Sequence, residues 1–199
     1  MTVKLVGSTS GSVSLQAPAS TSGGANRVLT LPDVNGTIAT TTTAGKILQV
    51  IQTVKKDKQT IQSASLTDIT GMSVTITPSS SSNKVLIRYC VSAFTANQYW
   101  SMRLLRGSDS TIFIGDQGSQ SSHTRSSFGS YMSSYVDGRS VTQELLDSPN
   151  TTSATTYKLQ AHTPYSASYI IGINNSPTND NNSYMSTMVS TITAMEVAA

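Results

Sequence analysis

From residue 46 onward, apolar and polar residues alternate with a period of two, in short runs broken by turn formers. Residues 84–92 set Val85, Ile87, Tyr89 and Val91 on one face, with Leu86, Arg88 and Cys90 on the other. Residues 99–106 set Trp100, Met102 and Leu104 opposite Tyr99, Ser101, Arg103 and Leu105. Extended backbone points successive side chains to opposite faces, so this period predicts strands. The same pattern predicts strands over 46–54, 73–77, 111–115, 130–136, 140–146, 156–161, 169–173 and 187–197. Breakers fall between them: Pro78 with the serines 79–82, Gly107-Ser108-Asp109, Asp137-Gly138, Ser148-Pro149-Asn150, and the asparagine-rich 174–182. Short strands with turn-rich connections predict an all-β antiparallel β-sandwich of jelly-roll type. Residues 84–92 and 169–173 are apolar on both faces. One sandwich covers a single face of each strand, so the second predicts contact with another subunit.

Residues 1–45 have a different texture. Extended segments are expected over 3–6, 12–17, 27–31 and 37–41, separated by Gly-, Ser- and Asn-rich turns such as Gly23-Gly24 and Asn35-Gly36. Each carries only two or three apolar residues, too little to offset its own ordering entropy. Alternating segments around Val13 and Leu15, and around Val28, Leu29 and Leu31, are nevertheless unlike a featureless Gly/Ser linker. The expectation is an extended, β-rich N-terminal arm (1–45) that anchors and intertwines with another chain, ahead of a head domain (46–199).

Composition supports strands over helices. The chain holds 34 serines and 28 threonines, but glutamate only at Glu144 and Glu196. Hydroxyl side chains compete for backbone hydrogen bonds inside helices, while threonine suits a pleated surface. The net charge of +3 is spread thinly, so no basic face for nucleic acid is expected. The run Lys55, Lys56 and Lys58 reads as a solvated strand end. No stretch approaches the ~20 apolar residues of a membrane span, and Met1 to Gly11 lack a secretory apolar block. A lone Cys90 excludes an internal disulfide. Membrane insertion is not expected, and synthesis in a cytosol is.

Candidate chemistry is sparse. His123 and His162 stand far apart in sequence, so no metal site is expected and both read as solvated polar side chains. Glu144 and Asp147, three apart at a strand end, are the best carboxylate pair for hydrolysis, which needs both in one cleft. No nucleophile elbow, phosphate loop or dinucleotide fingerprint occurs. No catalytic residue and no cofactor is expected. Asp180, within 174–182, offers oxygen ligands but lacks the spacing of a calcium loop. Trp100 and Cys90 read as core residues. Tyr131, Tyr135, Tyr165 and Tyr184 lie in or beside polar segments and are the candidate outward binding residues, since aromatic faces beside adaptable hydroxyls suit recognition.

Three stretches of the arm carry a resemblance: Gly7-Ser8-Thr9-Ser10-Gly11-Ser12-Val13-Ser14-Leu15-Gln16-Ala17-Pro18, Leu29-Thr30-Leu31-Pro32, and Asn35-Gly36-Thr37-Ile38-Ala39-Thr40-Thr41. They resemble the N-terminal segments of bacteriophage virion proteins, particularly from phages of marine bacteria and cyanobacteria. The stretches Gly45-Lys46-Ile47-Leu48-Gln49-Val50-Ile51-Gln52 and Thr193-Ala194-Met195-Glu196-Val197-Ala198-Ala199 are similar to that group as well. The resemblance implies a homotrimer with a tumour-necrosis-factor-like jelly-roll head, assembled into a virion in the host cytoplasm. It implies no catalytic residues. Its partners would be a tail or major capsid protein and, at the distal loops, a host surface glycan or protein. A short tail fibre is the leading expectation and a capsid decoration protein the alternative.

Overall fold

The computed structural model describes residues 2–6, 12–16, 46–95, 98–109, 112–116, 118–132, 138–176, 183 and 186–199. They fall into two units, Met1–Ala44 and Gly45–Ala199.

In the first unit, β1 (Thr2–Val6) and β2 (Ser12–Gln16) pair antiparallel, with Val3 opposite Leu15 and Leu5 opposite Val13. The arm's first two segments thus pair with each other within one chain. Two strands alone are at the margin of stability in water. The expected segments at 27–31 and 37–41, with Val28, Leu29 and Leu31, lie outside the described residues.

The second unit is all-β, with no helix among its described residues. Its strands are β3 (Ile47–Lys55), β4 (Gln59–Ile61), β5 (Thr67–Ile76), β6 (Lys84–Thr95), β7 (Gln98–Arg106), β8 (Phe128–Met132), β9 (Gly138–Asp147), β10 (Thr155–His162), β11 (Ile171–Ile173) and β12 (Ser190–Val197). One sheet has the order β5-β10-β7-β8. In the other, the long β6 pairs β9 along one edge and both β12 and β11 along the opposite edge; β3 and β4 lie beyond those two. Counting β3 with β4 and β11 with β12 as interrupted strands, this is the alternating order of an eight-stranded jelly roll.

The inward faces of both sheets share one core. β6 contributes Val85, Ile87, Tyr89, Val91 and Ala93, and β7 contributes Trp100, Met102 and Leu104. β10 adds Tyr157, Leu159 and Ala161, and β12 adds Ile192 and Ala194. Each large apolar side chain removed from water contributes about 1.5–3 kcal/mol. Trp100 is among these core residues, as its alternation predicts.

Polar groups close the ends. Buried Asp147 accepts two hydrogen bonds from the Arg106 guanidinium (3.0 and 2.9 Å) and one from the Tyr157 hydroxyl (2.7 Å), joining β9 to the opposite sheet. Burial, then the neighbouring Asp147, raises the Tyr157 pKa, so the phenol remains a donor. Buried Glu196 accepts from Asn83, Gln49 and the Ser79 backbone and hydroxyl. Burial pushes this carboxyl up, but those hydrogen bonds outweigh it and hold the pKa at about 2. Asn174 takes a positive φ of 63°, and its amide donates to the carbonyls of Lys55 and Asp57, tying the β11 end to the β3–β4 turn.

Several sequence expectations are corrected. Residues 112–115 are turn and loop, because this segment folds back over a sheet instead of pairing with one. The strand expected at 169–173 is confined to Ile171–Ile173, since Tyr169 closes a turn with its N–H donating to the Ser166 carbonyl. β4 and the first half of β5 are strands that the sequence pattern does not predict, the strand at 73–77 being extended back to Thr67 through Gly71, which takes a φ of 79°. Lys55 is buried (1% exposed), with its ammonium 2.6 Å from Asp57, so the lysine run is only partly solvated. Cys90 is half-buried on the outer face of β6 and free.

Candidate functional site

Among the described residues of the second unit, no further sheet lies on either outer face of the sandwich, and the two faces differ. On the β9-β6-β12-β3 sheet, in-register neighbours form rows across the strands. Val50, Met195, Leu86 and Leu146 make one such row. Gln52, Thr193, Arg88 and Glu144 make the next, followed by Val54, Thr191, Cys90 and Thr142. Period-two patterning places these positions outward. Val50 and Leu146 are 58% and 54% exposed, with Ile47 and Leu48 exposed beside them. The apolar second face read from the sequence is therefore a continuous row of side chains. Glu144 lies on this face while Asp147 points into the sandwich, so the carboxylate pair faces no common cleft.

The outer face of the β5-β10-β7-β8 sheet is polar and partly roofed. Tyr99, Ser101 and Arg103 point outward from β7. In register they meet Tyr131 and Gly129 on β8, and His162 and Gln160 on β10. Residues 118–127 return across this face and are fastened to it, while Phe113 before them packs against the core and the Tyr157 ring. The Arg103 Nε donates to the Arg125 carbonyl (2.7 Å), the Arg125 Nε to the Gly115 carbonyl (3.0 Å), and the Ser127 backbone N–H to the Met102 carbonyl (2.9 Å). Loop 163–170 closes the other side, held by Thr163, whose backbone N–H donates to the Ser63 carbonyl (2.9 Å) and whose hydroxyl donates to the Ser166 carbonyl (2.8 Å).

Between these loops lies a groove of about 730 Å³, lined by Tyr99, Ser101, Gly129, Tyr131, Pro164 and Tyr165 among others. A second hollow of about 530 Å³ adds Arg103, Arg125 and His162 and shares His123, Thr124 and Pro164 with the first. The two are contiguous. Each falls within the size range of ligand sites. The tyrosines form its aromatic part: Tyr99 and Tyr131 pack at 4.8 Å between ring centres, and Tyr165 stacks on Tyr169 at 5.9 Å. Among the described residues, no carboxylate lines either hollow.

Two polar atoms of this region lack partners among the described residues: Ser101 Oγ and His162 Nε2. Both residues are buried and stand opposite each other in the β7–β10 register. The His162 Nδ1 lies 2.9 Å from the Ala64 carbonyl. A carbonyl only accepts, so the proton sits on Nδ1 and Nε2 presents a bare lone pair. Burial lowers the His162 pKa, opposed by the Ala64 bond and reinforced by Arg103. The ring is thus a buried acceptor, contrary to the solvated side chain expected. A nucleophilic pair would need the serine hydroxyl bonded to the imidazole, and that imidazole held by a third group; here Oγ and Nε2 are not bonded to each other.

The sequence matches no protein-family model and no curated protein.

Of the tyrosines chosen from sequence, Tyr131 and Tyr165 line the groove; Tyr135 and Tyr184 lie outside the described residues. Tyr99 was read only as the far side of a core strand, and its pairing with Tyr131 depends on a register that no local pattern reveals. His123 and His162, 39 positions apart in sequence, are brought to one hollow by the β10 end and the roofing loop. No group of three or more metal-ligating side chains occurs among the described residues.

Proposed function

We propose that the chain is a non-enzymatic structural protein of a phage virion: a homotrimeric surface appendage of short tail-fibre or adhesin type. The observation that carries this reading is the row Val50, Met195, Leu86 and Leu146, whose outer members Val50 and Leu146 are exposed among the described residues. Apolar patches in continuous register mark interaction surfaces. The adjoining row places Arg88 beside Glu144, so the face offers both signs of charge and suits a second copy of itself. Three sandwiches closing around an axis would bury such faces in an interface of ~2,000 Å² or more, as obligate assemblies do. The likeness of the arm to phage virion segments supplies the setting. In it the arm, through Val13, Leu15, Val28, Leu29 and Leu31, joins neighbouring chains or a tail or capsid protein. The polar groove is left facing outward.

The test is the protein content of purified particles. Tens of copies per virion, with antibodies against the head domain labelling the tail tip, support the appendage. Hundreds of copies spread over the capsid favour a decoration protein instead. Absence from purified particles overturns both.

A further inference from the structure

We propose that the groove bounded by Tyr99, Tyr131 and Tyr165 binds an acidic polysaccharide. A pyranose ring would stack on the tyrosines, its hydroxyls would engage Ser101 and His162, and its carboxylate would lie toward Arg103.

Three independent features point to this chemistry. Tyr131 and Tyr165 are 42% and 77% exposed and line one wall-to-wall space, with exposed Tyr99 packed against Tyr131. Exposed aromatic faces present apolar area without losing much side-chain entropy on binding, and the C–H face of a sugar ring matches them. Below them, Ser101 Oγ and His162 Nε2 are buried without partners among the described residues, and such groups are costly unless bonded. Nε2 is a bare acceptor and requires a donor. A sugar hydroxyl donates to it, whereas a carboxylate or phosphate cannot. At the contiguous hollow, Arg103 and Arg125 line the site with no acidic residue beside them among the described residues, and arginine suits carboxylate recognition. A neutral glycan would leave this end unused. An inorganic anion would leave the tyrosines and Nε2 unused.

The groove's depth comes from small residues. Gly129 faces Ser101 across the β7–β8 pair. A Cβ placed there would meet the Ser126 hydroxyl at 3.5 Å and Ser101 at 3.8 Å, ordinary contact distances. A Cβ at 129 is therefore accommodated by the fold, and the side-chain atoms beyond it would occupy the floor.

This rests on the adhesin reading for the groove's outward placement, so the experiment reads binding and assembly separately. The full chain is titrated by calorimetry with a polygalacturonate tetrasaccharide and with neutral maltotetraose, while light scattering reports its mass. Expected is saturable binding of the acidic tetrasaccharide and at least tenfold weaker binding of the neutral one. Y131A, Y165A and R103Q should each weaken binding on the order of tenfold, and Gly129→Val should abolish it, all with unchanged mass and, for Y165A, an unchanged melting temperature. Tyr165 is mostly solvent-facing, so Y165A keeps the test valid if another variant misfolds. Binding that ignores Y165A, equal affinity for the neutral tetrasaccharide, or no heat from the wild type overturns the proposal. A trimer that binds neither sugar sinks this inference alone; a monomer that binds the acidic one sinks the trimeric appendage alone.

Discussion

The two outer faces of the sandwich belong to sheets that share one core, yet they present different side chains. On the β9-β6-β12-β3 sheet, the aliphatic side chains of Val50, Met195, Leu86 and Leu146 line up across strands, and no described loop of the second unit is fastened over them. On the β5-β10-β7-β8 sheet, polar and aromatic side chains are roofed by residues 118–127 and 163–170. A face that a protein covers with its own loops keeps a shaped space for a ligand. A row of exposed aliphatic side chains bordered by both signs of charge suits a second copy of the same surface. One jelly roll can thus divide assembly from recognition, because period-two alternation lets outward positions change without disturbing the core.

The sharpest way to break this division is to place a charge in the apolar row. Leu146→Asp should shift the assembly's dissociation concentration by on the order of a hundredfold or more, since an unpaired carboxylate would be buried at the interface. Light scattering across a dilution series reads the shift, and an unchanged midpoint would assign the row no role. The groove face should be indifferent: the variant should still melt as a folded β protein.

Next in size is the contact that holds the two sheets together. Asp147→Ala removes the acceptor of three hydrogen bonds from Arg106 and Tyr157 and should cost about 2–3 kcal/mol in urea unfolding. A loss below 0.5 kcal/mol would show that this end of the sandwich is held otherwise.

Gly138 tests the edge of the apolar face. A Cβ built there runs into the Phe94 ring, which covers the glycine from across the β6–β9 pair. Phe94 is buried on an outward position for this reason. Gly138→Val should therefore destabilise by about 1–3 kcal/mol through overpacking, measured by the same unfolding. By contrast, Gly129→Val on the groove face should be near neutral.

These positions also show what the sequence makes legible. The alternation of Val85, Ile87, Tyr89 and Val91, and of Trp100, Met102 and Leu104, announces strands and their inward faces, because burial imposes a period that is visible locally. The second apolar face of 84–92 was visible for the same reason. Hidden were β4 and the first half of β5, where a three-residue strand carries no period and Gly71 breaks the other. Residues 111–115 alternate like a strand, yet those described form a loop, since a pattern cannot say whether a pairing partner exists. The groove was half legible. Tyr131 and Tyr165 announced themselves by polar surroundings, but Tyr99, Ser101 and His162 join them only through register. Lys55 defeated the reading outright: a charged residue in a basic run is buried because Asp57 folds back onto it.

A pH series separates the two faces further. The Glu196 carboxyl is held at about 2 against its ordinary 4.5. Its stabilising contribution is complete above pH 4.5 and fades as the pH falls toward 2. Wild-type stability should drop across that window, and Glu196→Gln should flatten the drop while costing about 1–2 kcal/mol at pH 7. Equal acid sensitivity in both would place the acid loss elsewhere. The smallest effect belongs to Tyr165→Ala, which should alter unfolding by less than about 0.5 kcal/mol; a larger loss would make that ring a structural element of the groove.

The most direct test is the mass of the full chain in solution at micromolar concentration, by light scattering coupled to size exclusion. Self-association through the apolar row predicts three times the 21.0 kDa chain mass. A homogeneous species of 21.0 kDa, with nothing bound, would contradict it.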